Sequence, residues 1–191
     1  TAIRDQFGDS RRSEIVAQGV DLSMEDLITP QDMVVTLSHG GSMKAQAVAE
    51  YRAQKRGGRG KQATSTNEDD FIDRMFIANT HDFILCFSNR GRVYWLKVYN
   101  VPQGSRIARG KPIVNLVPLA ENEKITAILP IKEFTDRQFV FMATAMGTVK
   151  KTPLDAFSRP RGNGLIAIDL GADDHLVGTA ITDGSSDVLL F

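Results

Sequence analysis

The segment EYRAQKRGGRGKQAT, residues 50–64, gathers Arg52, Lys55, Arg56, Arg59 and Lys61 around Gly57, Gly58 and Gly60. Glu50 is its only acid, and nothing bulky and apolar follows Tyr51. Guanidinium forks and exposed backbone N–H groups suit phosphate oxygens. Glycine lets the backbone reach positive φ and come close to a ligand. Gly60-Lys61 is followed by Gln62 and Ala63 and lacks the spacing of a nucleotide-binding P-loop. A single mononucleotide therefore fits poorly. Phosphates repeated along a polymer fit better, and such binding is salt-dependent and indifferent to base sequence.

The chain as a whole is electrically balanced, with 23 basic and 23 acidic residues in 191. The balance hides segregation. Residues 44–61 carry six bases and one acid, residues 89–111 six bases and no acid, and residues 150–161 four bases and one acid. One basic run alone would read as a solvated face. Three at comparable places in a repeating chain read as a surface for a polyanion.

Other chemistry is thinly represented. His39, His81 and His175 fall in or beside turns, with no Cys or second His at ligand spacing. Ser38, Ser42 and Ser88 lack a nucleophile-elbow context. Cys86, the single cysteine, sits in FILCF and reads as a small buried thiol. No stretch approaches the roughly 20 apolar residues of a membrane span, and the charged start lacks the apolar centre of a signal peptide. The cytoplasm is the expected location. The chain, which starts without Met, reads as a piece of something longer.

The elements that would carry the basic loops repeat about every fifty residues. Residues 33–51, 83–101 and 139–157 each show an alternating apolar run, a turn ending in Gly41, Gly91 or Gly147, and a second run. This is a hairpin pattern. A Gly-bearing basic element follows each hairpin, with Gly60 and Gly110 fifty residues apart. A third element closes each unit, and Asp73, Glu123 and Asp174 occupy comparable places in it. DVLLF, residues 187–191, copies the opening strand of a fourth unit. Four strands per unit at this period predict an all-β, propeller-like array, with a β-sandwich as the alternative. In GRVYWLKVY, Tyr94 and Trp95 alternate as strand residues do, so at least one belongs to the core. Residues 1–30 differ: the pattern predicts a short helix closing at Gly8, then an acidic linker, with the repeat array spanning 31–191.

The heptapeptide QKRGGRG, Gln54 to Gly60, resembles the box of the C-terminal domain of the DNA gyrase A subunit, usually Gln-Arg-Arg-Gly-Gly-Arg/Lys-Gly. Lys55 stands where that box has Arg, which keeps the charge and loses one bidentate fork. Residues 68–99 and 108–119 resemble the blade that follows the box, and IRDQFGDSRRSEI resembles the junction with the breakage–reunion region. The resemblance implies a β-pinwheel of four-stranded blades, about three and the start of a fourth in this chain, whose blades exchange strands. It implies a non-catalytic module that wraps duplex DNA around its rim, so that ATP-driven strand passage introduces negative supercoils. Cofactors are expected to be none in this chain, because ATP and Mg belong to other regions or subunits of the holoenzyme, as does the cleaving tyrosine. Its expected partners are duplex DNA, a second A subunit, and the gyrase B subunit.

The residues expected to contact DNA are Lys55, Arg56, Arg59 and Lys61, with Arg109, Lys111, Lys150 and Lys151 added from blade position. Gln54, Gly57, Gly58 and Gly60 would shape the box, which could also latch the ring. Two alternatives stand beside this reading. One is a propeller-like scaffold whose basic loops meet an acidic protein. The other is the related domain of topoisomerase IV.

Overall fold

The computed structural model describes residues 2–8, 23–50, 70–105 and 108–190. The Gln54–Gly60 box and Lys61 lie outside these described residues. A short helix, α1 (Ala2–Phe7), ends just before Gly8 as expected. Eleven strands are described. They are β1 (Asp32–Ser38), β2 (Ser42–Ala47), β3 (Ile72–Asn79), β4 (Phe83–Ser88), β5 (Arg92–Lys97), β6 (Lys111–Pro112), β7 (Ile125–Ile131), β8 (Phe139–Thr144), β9 (Val149–Pro153), β10 (Leu165–Ile166) and β11 (Leu176–Thr182).

Each sequence unit builds one hairpin and adds a third antiparallel strand. The hairpin registers match across the repeat, with Leu37 opposite Met43, Phe87 opposite Val93 and Ala143 opposite Val149. The turn amides of Gly41, Gly91 and Gly147 donate to Ser38, Ser88 and Thr144 at 2.9, 3.0 and 3.1 Å. All three glycines have φ between +72° and +85°, a region costly for residues with a Cβ. The Gly spacing in the sequence therefore reports a real three-residue turn.

A carboxylate fastens two of these turns. Asp70 accepts the Gly40 and Phe71 amides at 2.8 and 3.0 Å, and Asp174 accepts those of Met146 and His175 at 3.0 and 2.8 Å. In the middle unit Glu123, at the same register, takes the Tyr94 hydroxyl and the Ala120 amide instead, at 2.9 and 2.8 Å. Ser38 pairs with Ile72, Ser88 with Ile125 and Thr144 with Leu176. The counterpart of Glu123 and Asp174 is therefore Asp70, two residues before Ile72, and not Asp73 as the sequence spacing suggested.

The sheets do not coincide with the sequence units. Their orders are β3-β1-β2-β6, β10-β5-β4-β7 and β11-β8-β9. The fourth strand of the first sheet comes from the second unit, and that of the second sheet from the third. Met43 pairs with Lys111 and Ser42 with Pro112; Val93 pairs with Leu165 and Arg92 with Ile166. The third sheet has three described strands. DVLLF does not open a fourth unit among the described residues. Residues 187–190 form no strand, and Leu189 and Leu190 are exposed. Alternation permits a strand, but only a neighbouring ladder makes one.

Two cores fill the spaces between sheets. Met33, Val35, Met43 and Ala45 meet Ile84, Cys86, Tyr94 and Leu96 across the first gap. Leu85, Phe87 and Val93 meet Val140, Met142 and Leu154 across the second. Strand β4 is buried on both faces, which explains the unbroken apolar run FILCF. Phe87 is fully buried and packs edge-on against Phe157, ring centroids 6.0 Å apart. Truncating it to Ala would cost about 3–5 kcal/mol. Cys86 lies in the same strand, and burial pushes its thiol up to about 12.

Candidate nucleic-acid interface

The exchanged strands position the described basic residues. After β5 the chain crosses to the first sheet and follows the edge of β2. Ala45 donates to Pro102 at 2.9 Å and Gly104 to Ala45 at 3.2 Å. The chain then turns back, with Ala108 donating to Ser105 at 3.0 Å, and enters β6. Ile113 completes the seam by donating to Gly41 at 2.8 Å. At the next seam, Ala167 and Ile168 donate to Gly91 at 2.8 and 3.2 Å.

Glycine leads each exchanged strand for a steric reason. A Cβ on Gly110 would lie 2.7 Å from the Met43 carbonyl oxygen. One on Gly164, where φ is +73°, would lie 2.7 Å from the Tyr94 ring and 2.9 Å from the Val93 oxygen. Arg109 and Lys111 flank Gly110 and are both exposed, so the first seam presents two cations to solvent.

Lys150 and Lys151 behave differently. As neighbours on β9 they point to opposite faces. Lys150 turns toward the second sheet and donates to the Ala167 carbonyl at 2.8 Å. Lys151 lies on the other face, 3.3 Å from the Gly184 oxygen and 4.9 Å from the Phe139 ring centre. They are not the register counterparts of Arg109 and Lys111; those are Asn163 and Leu165. Near the second seam Arg159 and Arg161 on the preceding loop are exposed, as are Lys150 and Lys151 on β9, and half-buried Arg92 donates its guanidinium to Asn163 at 2.5 Å. All four bases of the run 150–161 are therefore exposed.

The remaining candidates have structural duties. His39 stacks on Phe71 with centroids 4.7 Å apart, and His81 Nε2 lies 2.8 Å from the Ile28 carbonyl. Trp95 donates to the Phe157 carbonyl at 2.7 Å. Tyr94 is buried; its hydroxyl is pushed up by burial and by the Glu123 carboxylate that accepts its proton. Burial would raise Glu123, but hydrogen bonds from Ser88, Ala120 and Tyr94 outweigh it and hold the acid below its ordinary range. Among the described residues no group of three or more His, Cys, Asp or Glu could hold a metal ion, and no helix is long and apolar enough to cross a membrane.

Comparison with known proteins agrees with the repeat. The family described as DNA gyrase C-terminal domain, beta-propeller, matches residues 32–79, 82–132 and 138–183. These are the three units built by β1–β3, β4–β7 and β8–β11. The chain belongs to the DNA gyrase C-terminal domain family. It is 59% identical to the DNA gyrase A subunit of Aeromonas salmonicida over 190 residues, covering 100% of this chain and 21% of that protein. It is 58% identical to the Escherichia coli (strain K12) counterpart over 186 residues, covering 97% of this chain and 21% of that protein. The chain thus spans about a fifth of the length of these relatives.

Two solved structures share the fold at 28% identity. The C-terminal domain of DNA topoisomerase IV superposes with a TM-score of 0.70, covering 82% of this chain and 47% of that one. The DNA gyrase A C-terminal domain superposes at 0.60, covering 80% and 48%. Shape alone would leave the two enzymes undecided; the much higher sequence identity favours the gyrase A relatives.

Proposed function

We propose that this chain is the non-catalytic DNA-wrapping part of a bacterial DNA gyrase A subunit. It bends duplex DNA along a basic rim, so that ATP-dependent strand passage by the assembled enzyme introduces negative supercoils. The observation that carries this reading is the Gln54–Gly60 box in a chain 58–60% identical to DNA gyrase A subunits along nearly its whole length. Lys55, Arg56, Arg59 and Lys61 are the principal phosphate contacts. Arg109 and Lys111 extend the path at the first seam, and exposed Lys150 and Lys151 with Arg159 and Arg161 continue it in the third repeat. ATP turnover and DNA cleavage come from the rest of the enzyme, which includes a second A subunit as well as the B subunit.

The arrangement favours backbone contact over base reading. Exposed Arg and Lys side chains on loops can track phosphates, and bending adds contacts without reading bases. The test is to replace Lys55, Arg56 and Arg59 with Ala in the intact protein and assemble it with its B subunit. Supercoiling should be lost while relaxation without ATP continues, because wrapping sets direction and cleavage occurs elsewhere. Supercoiling at the normal rate would refute the assignment. Duplex affinity that does not fall with salt would favour an acidic protein partner instead.

A further inference from the structure

We infer that Lys44 is a positioning residue that holds Arg109 in place for its phosphate contact. The inference rests on the reading of Arg109 given above. Lys44 lies in the middle of β2 and is 3% exposed, on the face opposite Met43 and Ala45. Lysine is rarely buried this deeply, because its charge must leave water. Burial accordingly pulls its pKa below the ordinary lysine value. At the same register the middle repeat has Tyr94 and the third has Lys150, each also tied to an oxygen.

The Lys44 ammonium donates to the Ala108 carbonyl at 2.7 Å. Ala108 directly precedes Arg109. On the other side, Gly110 presses against the Met43 backbone and Lys111 enters the ladder opposite Met43. Arg109 is therefore clamped between two attachments, one residue away on each side, and both belong to β2 of the neighbouring sheet. Lys44 is itself too buried to reach DNA. Its contribution to binding would run through the chain that carries Arg109. A Lys44→Met change removes the charged donor from Ala108 and leaves Arg109 held on one side only.

The experiment uses the full-length protein and measures duplex binding across a salt series for Arg109→Ala, Lys44→Met, the double variant and Lys44→Arg. Arg109→Ala should weaken binding about two- to tenfold and reduce the salt slope by about one. Lys44→Met should lose a similar factor, the double variant should be no weaker than either single change, and Lys44→Arg should restore binding. Hydrogen exchange of the free protein should show faster exchange at Gly104, Ala108 and Lys111 in Lys44→Met, with β4 still protected. That pattern separates local release from global unfolding. If Arg109→Ala leaves both affinity and slope unchanged, the phosphate reading of Arg109 fails and this inference falls with it. If Arg109→Ala weakens binding but Lys44→Met does not, or if the two losses multiply, the phosphate reading stands and the positioning role is overturned.

Discussion

Three glycines at the same turn position differ in what surrounds them, and this difference predicts unequal costs for the same substitution. Gly41, Gly91 and Gly147 have φ of +81°, +72° and +85°. Alanine at any of them meets the same backbone penalty, about 1–2 kcal/mol. The loss of unfolded-state freedom offsets that penalty by about 0.4–1 kcal/mol, equally at all three. Surroundings decide the rest. Nothing lies within 4 Å of a Cβ at Gly147, and at Gly41 the nearest atom is Ile113 Cγ2 at 3.8 Å.

At Gly91 the new methyl would sit 2.4 Å from the Ile168 carbonyl oxygen and 3.2 Å from Leu170 Cγ. That oxygen belongs to backbone and cannot rotate away. Its own segment is fixed by the bonds from Ala167 and Ile168 to the Gly91 carbonyl. Forcing it outward should add about 1–3 kcal/mol of overpacking strain. Gly91→Ala should therefore be less stable than Gly147→Ala by about that amount, or about 2–12 °C in Tm for a chain of this size. Urea denaturation with an unchanged m-value would measure the difference directly. Equal destabilisation of all three variants, or a larger loss at Gly147, would refute the claim that the exchanged segment seals the Gly91 turn.

Three further outcomes are expected. Asp183 is held down to about 2, first by the Ser185 amide and then by the Ser186 hydroxyl and amide, and hydrogen bonds also hold Asp70 and Asp174 below the ordinary range. Their folded pKa values lie below the unfolded ones, so their stabilisation is present above about pH 4 and is lost as the pH falls toward 2. Denaturation midpoints that stay flat across that window would contradict the sign, and Asp183→Asn should flatten the fall. Cys86 should resist thiol reagents near pH 8 and react once the chain is unfolded in denaturant; rapid labelling of the native protein would mean β4 is not the closed core strand described. Lys97 pairs with Glu25 at 2.7 Å while lying 3.9 Å from the Phe83 ring centre, which fastens the 3₁₀ turn Met24–Leu27 to the second sheet. Lys97→Met should release that turn at a cost of about 1 kcal/mol or less, seen as faster amide exchange at Asp26 and Ile28 with the sheets still protected; unchanged exchange would place the anchor elsewhere.

What the sequence disclosed and what it hid divide along a physical line. The hairpins were legible because everything that makes them is local: two alternating runs, a turn glycine at +72° to +85°, and a register closed within about fifteen residues. The exchanged strands were not legible from pattern. β6 and β10 are two residues each, and their partners on β2 and β5 lie about seventy residues earlier in the chain. Nothing in KP or LI names that partner; only the resemblance to a known family suggested exchange. Register across the sheets is hidden for the same reason. Blade position groups Lys150 and Lys151 with Arg109 and Lys111, and the ladder adds that the register counterparts of that pair are Asn163 and Leu165. Spacing along the chain points to Asp73, and register across the sheet points to Asp70.

The same exchange ties basic residues of one repeat to the sheet of the repeat before it. An ordinary loop is tethered only at its own ends, and cations on it drift relative to those of the next unit. Here the crossing chain is bonded at several points to the edge of the preceding sheet, through Ala45, Lys44 and Met43 at the first seam and Gly91 and Val93 at the second. Each seam belongs to two sheets at once. Lys111 and Arg92 lie in these ladders, so their separation is set by sheet packing and not by loop flexibility. A stiff duplex that must be bent needs contacts at fixed intervals, since its deformation energy is recovered only where phosphates and cations meet in register. In the wrapping role proposed above, strand exchange would supply such intervals, and Gly110 and Gly164 let the crossing chain lie close to the preceding sheet.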